Sequence, residues 1–292
     1  MRDGCVQFVG ITCNPYDARA AELGGQLAEW LMEHQIGVLV NEEAFPATTS
    51  VVRMPMEQLS LQVALMIVIG GDGTLLHAGR YFLGKTVPLL AINLGRLGFL
   101  TDTPAGSMLD VVAQALDGKL VRRSHFSVDA TCFRGEEQVL QGVAINDVVI
   151  QRGGNPRMVT FSMTIRDQFV FRMRADGLVL ATPAGSTAYA LSAGGAIIHP
   201  EVEAISVVPI CPHTLSNRPI VVPADDRIVV TVNDCPAALV IDGKQRHDLQ
   251  DGDAIVLQRG MSFTLLHEPQ RHYYEVLRNK LNWAGQAEQG LL

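Results

Sequence analysis

The chain has 292 residues, 48% hydrophobic and 18% charged, with a formal net charge of −7 at pH 7. That length buries a sizeable core and predicts two domains, while the acidic balance argues against a nucleic-acid or anionic-membrane surface. No apolar run approaches the roughly 20 residues that span a bilayer, and Met1-Arg2-Asp3-Gly4-Cys5-Val6 lacks the apolar segment of a signal peptide. The five cysteines (Cys5, Cys13, Cys132, Cys211, Cys235) are scattered, odd in number and without a C-x-x-C pair. Neither disulfides nor a structural zinc site is expected from them. The expectation is a cytoplasmic protein with buried thiols.

In chain order, Val6 to Ile11 reads as a strand, and Ala20, Leu23, Leu27 and Leu31 have helical spacing in a segment from Asp17 to about His34. Val38 to Val40 predicts a second strand, 54–62 a short helix, Leu65 to Ile69 a strand, Thr74 to Leu83 a helix and Val87 to Asn93 another strand. A helix over Ser107 to Leu116 closes the series. Alternating strands and helices predict a parallel sheet. After Arg122 and Arg123 short β-rich runs dominate: Phe126–Phe133, Val139–Ile150, Met158–Met173, Leu178–Ala181, Ile205–Ile210, Ile228–Val232, Leu239–Ile241, Ile255–Leu257 and Phe263–Leu266. Arg166-Asp167 reads as a hairpin tip. The fold expected is an α/β N-terminal domain with a parallel sheet, residues 1–122, and a mostly-β, sandwich-like C-terminal domain, residues 123–267. Val276, Leu277 and Leu281 predict a helical tail within 268–292 that docks back on the first domain.

The densest signal is Leu65-Met66-Ile67-Val68-Ile69-Gly70-Gly71-Asp72-Gly73-Thr74. Aliphatics bounded by glycine read as a strand buried on both faces. The glycines permit positive φ and remove Cβ atoms that would block a phosphate, and amides ahead of a helix attract anions. Asp72 is the odd member, since a carboxylate repels phosphate. It suits a group that takes a proton from a hydroxyl, or one that helps hold a phosphate-borne metal. A plain capped turn is the alternative. Parallel strands joined by one helix end at one sheet edge, so Asn93-Leu94-Gly95-Arg96-Leu97-Gly98-Phe99 is expected beside Gly70 to Gly73.

Two formal matches fail on context. Gly79 to Thr86 fits G-x-x-x-x-G-K-[ST], but it continues a helix and runs into Val87-Pro88, so Gly84 reads as a helix C-cap. G-x-G-x-x-G fails because Leu76 stands where the third glycine belongs. The histidines show no metal spacing. A second dense stretch, Asp176-Gly177 through Pro183-Ala184-Gly185-Ser186-Thr187-Ala188-Tyr189, offers small residues, hydroxyls that can donate and a tyrosine that can pack on a ring. Asn146-Asp147 is a polar pair after apolar Val143-Ala144-Ile145. Each also reads as an ordinary turn.

Together, Gly70-Gly71-Asp72-Gly73-Thr74, Asn93 to Asp102, Asn146-Asp147, Asp176-Gly177, Pro183 to Tyr189 and Pro212-His213-Thr214-Leu215-Ser216-Asn217-Arg218-Pro219 resemble the NAD kinase family over most of the chain. The glycine loop alone is shared with lipid kinases and phosphofructokinases, whereas the ordered set is specific. The resemblance implies transfer of the γ-phosphoryl group of ATP to the 2′-hydroxyl of the adenosine ribose of NAD. It also implies a divalent cation, usually magnesium, and a homodimer or homotetramer. By position, Asp72 is the expected base, with Gly73 beside it in the dinucleotide site. Asn146, Asp147, Asp176, Thr187, Ala188, Tyr189, Ala190, Leu191 and Ser192 fall on nucleotide-binding positions, some of which a neighbouring subunit supplies. His77, Arg157 and Arg174 match positions that vary in the family. Lys244 follows Asp242-Gly243 where the family often has glutamine. The rivals are a non-catalytic NAD(P)(H) sensor and a lipid or sugar kinase sharing only the glycine loop.

Overall fold

The computed structural model describes residues 8–45, 51–95, 98–154, 157–214, 216–234, 236–270 and 273–283. The chain divides into two compact units, Met1–Ser124 with Ser262–Leu292, and His125–Met261.

The first unit runs β1 (Phe8–Cys13), α1 (Ala18–Glu33), β2 (Gly37–Asn41), β3 (Val52–Met54), α2 (Met56–Gln62), β4 (Val63–Ile69), α3 (Asp72–Tyr81), β5 (Pro88–Asn93), β6 (Thr103–Pro104) and α4 (Met108–Leu116). Its strands pair in parallel in the order β3-β2-β1-β4-β5, with β6 beside β5. Asp17 starts α1 by accepting the Arg19 amide at 3.0 Å, and Ala20, Leu27, Ala28 and Leu31 bury the helix's apolar stripe. That stripe, with Val9 and Ile11 of β1 and Ile67 and Ile69 of β4, forms one core. Strands β3 and β6 were not expected from the sequence. At three and two residues they are too short to carry a period. Val6 lies outside the described residues.

Among its described residues the second unit is built of strands, with one 3-10 turn (Gly185–Thr187) leading into one short helix. It runs β7 (Val121–Arg134), β8 (Glu137–Ala144), β9 (Asp147–Arg152), β10 (Val159–Ile165), β11 (Gln168–Ala175), β12 (Gly177–Ala181), α5 (Tyr189–Ser192), β13 (Ala204–Ile210), β14 (Ile220–Pro223), β15 (Ile228–Asn233), β16 (Ala237–Ile241), β17 (Gln245–Leu249) and β18 (Ala254–His267). Six strands form an antiparallel sheet in the order β14-β13-β12-β9-β16-β17. A second antiparallel run, β11-β10-β15-β18, joins β7 and β8 through β18. Val148, Ile150, Leu178 and Leu239 from the first meet Phe161, Met163, Val230 and Ile255 from the second in one core, which is a sandwich.

Several boundaries differ from expectation. The run Val139–Ile150 is two strands broken at Ile145 and Asn146, so Asn146-Asp147 joins strands and Asp147 opens β9. Ile255–Leu257 and Phe263–Leu266 are parts of the single strand β18, whose last residues from Ser262 belong to the first unit, where Thr264 and Leu265 pair in parallel with Pro88 and Leu89. Arg166 and Asp167 do form a hairpin tip, at φ 50° and 61°. The last helix, α6 (Tyr273–Leu281), buries Tyr273, Val276 and Leu277. No helix among the described residues is long and apolar enough to cross a membrane.

Candidate functional site

Strand β4 ends at Ile69, and the Gly70 amide donates to Ile92 O at 2.8 Å, so the ends of β4 and β5 lie together as parallel connection requires. Gly70, Gly71 and Gly73 make no use of the positive φ that glycine permits; Gly71 sits at φ −90°. A Cβ on Gly71 or Gly73 would meet nothing within 4 Å, so their bareness faces open space. No side chain caps the start of α3, and its first amides are left to a ligand or water.

Asp72, half-buried, does not cap its own helix. Its carboxylate turns to the loop after β5. Oδ2 accepts from the Phe99 amide at 2.9 Å, while Oδ1 accepts from the Leu100 amide at 3.3 Å, the Thr101 amide at 2.9 Å and the Thr101 hydroxyl at 2.8 Å. This cradle explains Gly98, where an added Cβ would stand 1.9 Å from Asp72 Oδ1. Arg96 and Leu97 lie outside the described residues.

The second unit holds a pocket of about 400 Å³, lined by Asn146, Asp147, Val149, Gln151, Ala188, Tyr189, Val240, Asp242 and Gly243. Strand alternation builds its floor. Val148 and Ile150 enter the sandwich core, so Asp147, Val149 and Gln151 face outward, as does Val240 opposite Val149. The turn before β9 is shaped by Asp242, whose carboxylate accepts the amides of Ile145 at 2.9 Å, Asn146 at 2.8 Å and Asp147 at 3.0 Å. Burial, with the Asp242 carboxylate adding to it, pushes the Asp147 carboxyl up to about 7. Asn146 Oδ1 is buried without a hydrogen-bond partner on the pocket wall. Such an atom calls for a donor from a ligand or water.

The turn Gly185–Thr187 presses against this wall, with Gly185 so close that a Cβ would lie 2.0 Å from Asn146 O. The hydroxyls expected to serve a ligand are partly taken by the fold. Thr182 Oγ1 donates to Ile145 O at 2.6 Å, and Ser186 Oγ, fully buried, donates to Pro183 O at 2.6 Å. Thr187 Oγ1 donates to Ala184 O at 3.1 Å. Ala188 and the 43% exposed Tyr189 line the pocket, whereas Ala190 packs on Val149, Val179 and Val208 of the sheet. Leu191 is half-buried and Ser192 exposed.

Asp176 stands at the other end of β12, where Gly177 pairs with Gln151, and its carboxylate meets Arg152 at 3.3 Å. Arg157, Arg174 and Lys244 are exposed, and Lys244 follows the pocket residues Asp242 and Gly243. In the first unit His77 lies edge-on to Tyr81 at 5.6 Å. The Gly79–Thr86 match to a phosphate loop runs from α3 through a turn in which Gly84 takes φ +73° and Lys85 Nζ donates to Ser60 Oγ. Among the described residues no group of three or more His, Cys, Asp or Glu could hold a metal ion. Sequence reasoning missed Thr101, Gln151 and the grip of Asp242. The signal for Gln151 is the alternation Asp147, Val149, Gln151; nothing local marks the other two.

The halves of the chain match two family models, described as ATP-NAD kinase N-terminal domain over residues 9–120 and ATP-NAD kinase C-terminal domain over residues 145–266. The NAD kinase of Magnetococcus marinus is 41% identical over 283 residues, covering 94% of this chain and 93% of that one. The NAD kinase of Thiobacillus denitrificans is 45% identical over 230 residues, 78% of this chain and 79% of that one. The crystal structure of yeast NADH kinase complexed with NADH superposes with a TM-score of 0.85 at 25% identity, covering 96% of this chain and 89% of that one. With the glycine loop, the outward-facing pocket and the sandwich all present, the chain belongs to the NAD kinase family.

Proposed function

We infer that this chain phosphorylates NAD to NADP with ATP, and that the Asp72 carboxylate takes the proton of the adenosine-ribose 2′-hydroxyl. The observation that carries the assignment is the Asp72 cradle. A carboxylate beside open glycine backbone is aimed by four donors, three of them on one oxygen. An alcohol is a poor nucleophile, and a positioned carboxylate receives its proton as attack proceeds. The uncapped amides at the start of α3 suit phosphate oxygens. Magnesium enters with ATP as part of the substrate, which keeps most of its ligands as phosphate and water.

The pocket beside Asn146 and Asp147 suits a nucleotide base and ribose. Its floor mixes apolar Val149 and Val240 with polar Asp147 and Gln151, its rim carries Tyr189, and the Asn146 oxygen lacks a donor. Within this reading His77 and Gly73 flank the phosphoryl-transfer loop, and Thr187, Ala188 and Tyr189 frame the pocket mouth. Asp176, Arg174 and Arg157 serve the site of a neighbouring subunit in a homodimer or homotetramer. A cytoplasmic setting accords with the free thiols Cys13, Cys132 and Cys211.

The test is NADP formation by the purified chain with NAD, ATP and magnesium, beside Asp72→Asn. Turnover in the natural chain and its loss in the variant, with nucleotide binding kept, is the expected result. Undiminished turnover in Asp72→Asn would remove Asp72 from the base role. NAD binding without turnover in the natural chain would leave a sensor.

A further inference from the structure

Asn93 ends β5, and its side chain is nearly fully buried beside Thr101, which is fully buried. The Gly95 amide, which can only donate, reaches Asn93 Oδ1 at 2.8 Å. The Thr101 carbonyl, which can only accept, lies 3.3 Å from Asn93 Nδ2. Both ends of the amide are thereby assigned, and Nδ2 must also be the donor to Thr101 Oγ1 at 2.7 Å. The single hydroxyl proton of Thr101 is then directed to Asp72 Oδ1, 2.8 Å away. The hydrogen bonds run one way, from Asn93 through Thr101 to Asp72.

We propose that Asn93 and Thr101 are positioning residues that decide which oxygen of Asp72 receives the substrate proton. The proposal rests on the reading of Asp72 as the base. Oδ1 carries the Thr101 hydroxyl and the Leu100 and Thr101 amides, whereas Oδ2 carries only the Phe99 amide. A carboxylate oxygen offers about two lone pairs, so Oδ2 keeps one for a hydroxyl. As the 2′-oxygen bonds to the γ-phosphorus, its O–H bond breaks and the proton passes to Oδ2. The bond from the γ-phosphorus to the bridging oxygen breaks, and ADP leaves with that electron pair. One residue beyond Thr101, buried Asp102 accepts from or pairs with His267 Nδ1 at 3.0 Å, which anchors the segment presenting the three amides.

The experiment measures kcat and both KM values for Thr101→Val, Thr101→Ser, Asn93→Asp and the Asn93→Asp/Thr101→Val double variant, with Asp72→Asn alongside. Thr101→Val is expected to lower kcat roughly 10- to 100-fold with both KM values within about twofold, because aim and not affinity is lost. Thr101→Ser, which keeps the hydroxyl, recovers most of kcat. In Asn93→Asp the new side chain only accepts, drawing the Thr101 proton away from Asp72, and kcat falls to a similar extent. The double variant shows no further loss, as members of one chain are not additive. Natural kcat in Thr101→Val or Asn93→Asp, a loss confined to KM, failure of Thr101→Ser to recover, or additive losses would each overturn the proposal. Should Thr101→Val not fold, the kcat and KM values of Asn93→Asp decide alone. Turnover in Asp72→Asn would sink the base assignment itself. An inactive Asp72→Asn with fully active Thr101→Val and Asn93→Asp would sink the positioning role only.

Discussion

Asp72 and Asp242 use the same device in the two units. Each carboxylate accepts three consecutive backbone amides, those of residues 99–101 in one case and 145–147 in the other. What surrounds the grip differs. Beside Asp72 stands a fourth donor, the Thr101 hydroxyl, and glycines that face open space. Beside Asp242 stands another acid, Asp147, which burial and that neighbour push up to about 7. The first grip fixes how its carboxylate is aimed beside open backbone. The second shapes the turn that opens β9.

The sharpest way to break the first cradle without touching its carboxylate is Gly98→Ala. The added methyl carbon would stand 1.9 Å from Asp72 Oδ1, so the loop must withdraw. We expect kcat for NADP formation to fall about 100-fold, the loss typical of an ångström-scale misplacement. Steady-state kinetics with a melting curve check this, and near-natural kcat would mean the cradle does not aim the base.

Asp242→Asn attacks the second cradle. One acceptor oxygen is replaced by a donor facing an amide, while Asn tolerates the φ of 47° at this position. A loss of about 2 kcal/mol in urea unfolding is expected, the scale of a charged hydrogen bond left unmade. A change under about 0.5 kcal/mol would show that the turn stands without its carboxylate.

Asp147 separates the two cradles by pH. Unfolded, an aspartate ionises near pH ~4, and in the fold Asp147 does so at about 7. The folded state thus binds this proton more tightly. Its stability is full below pH ~4 and declines as pH rises through about 7. Asp147→Asn should therefore gain about 1–2 kcal/mol at pH ~8 and little at pH ~4, read from urea midpoints. An unchanged pH dependence would place the proton elsewhere.

The smallest effect is expected from Tyr189→Ala. The ring is 43% exposed on the pocket rim, so stability should move little. Loss of a stacking face worth about 0.5–1.5 kcal/mol raises KM for a nucleotide about 2- to 10-fold with kcat kept. No change in KM for either substrate would remove the ring from the site.

Much of the framework was legible because period and punctuation are local. The helical spacing from Ala20 to Leu31 gave a helix with its buried stripe, and the aliphatic run before Gly70 gave a strand that is buried from Leu65 to Ile69. Even one tertiary contact could be read. Parallel strands joined by a helix must end together, and Phe99 does meet Asp72. The conformational role assigned to the loop glycines was less well founded. Gly71 and Gly73 face open space, Gly70 leaves room for the Thr74 side chain, and none of the three uses positive φ. The hydroxyls of Thr182 and Ser186 were legible as donors but not as already satisfied.

By itself the sequence determined the kinds of element, the parallel α/β series followed by antiparallel strands, and the ordered motifs that mark the family. Those follow from backbone preference and side-chain period, which act within a few residues. Tertiary structure alone decided which groups hold each acid. The grip of Asp242 on residues about a hundred positions earlier, the pairing of Asp102 with His267 and the one-way line from Asn93 to Asp72 are long-range hydrogen bonds. A hydrogen bond depends on distances of about 3 Å and on which partner donates, and neither is written in spacing along a chain.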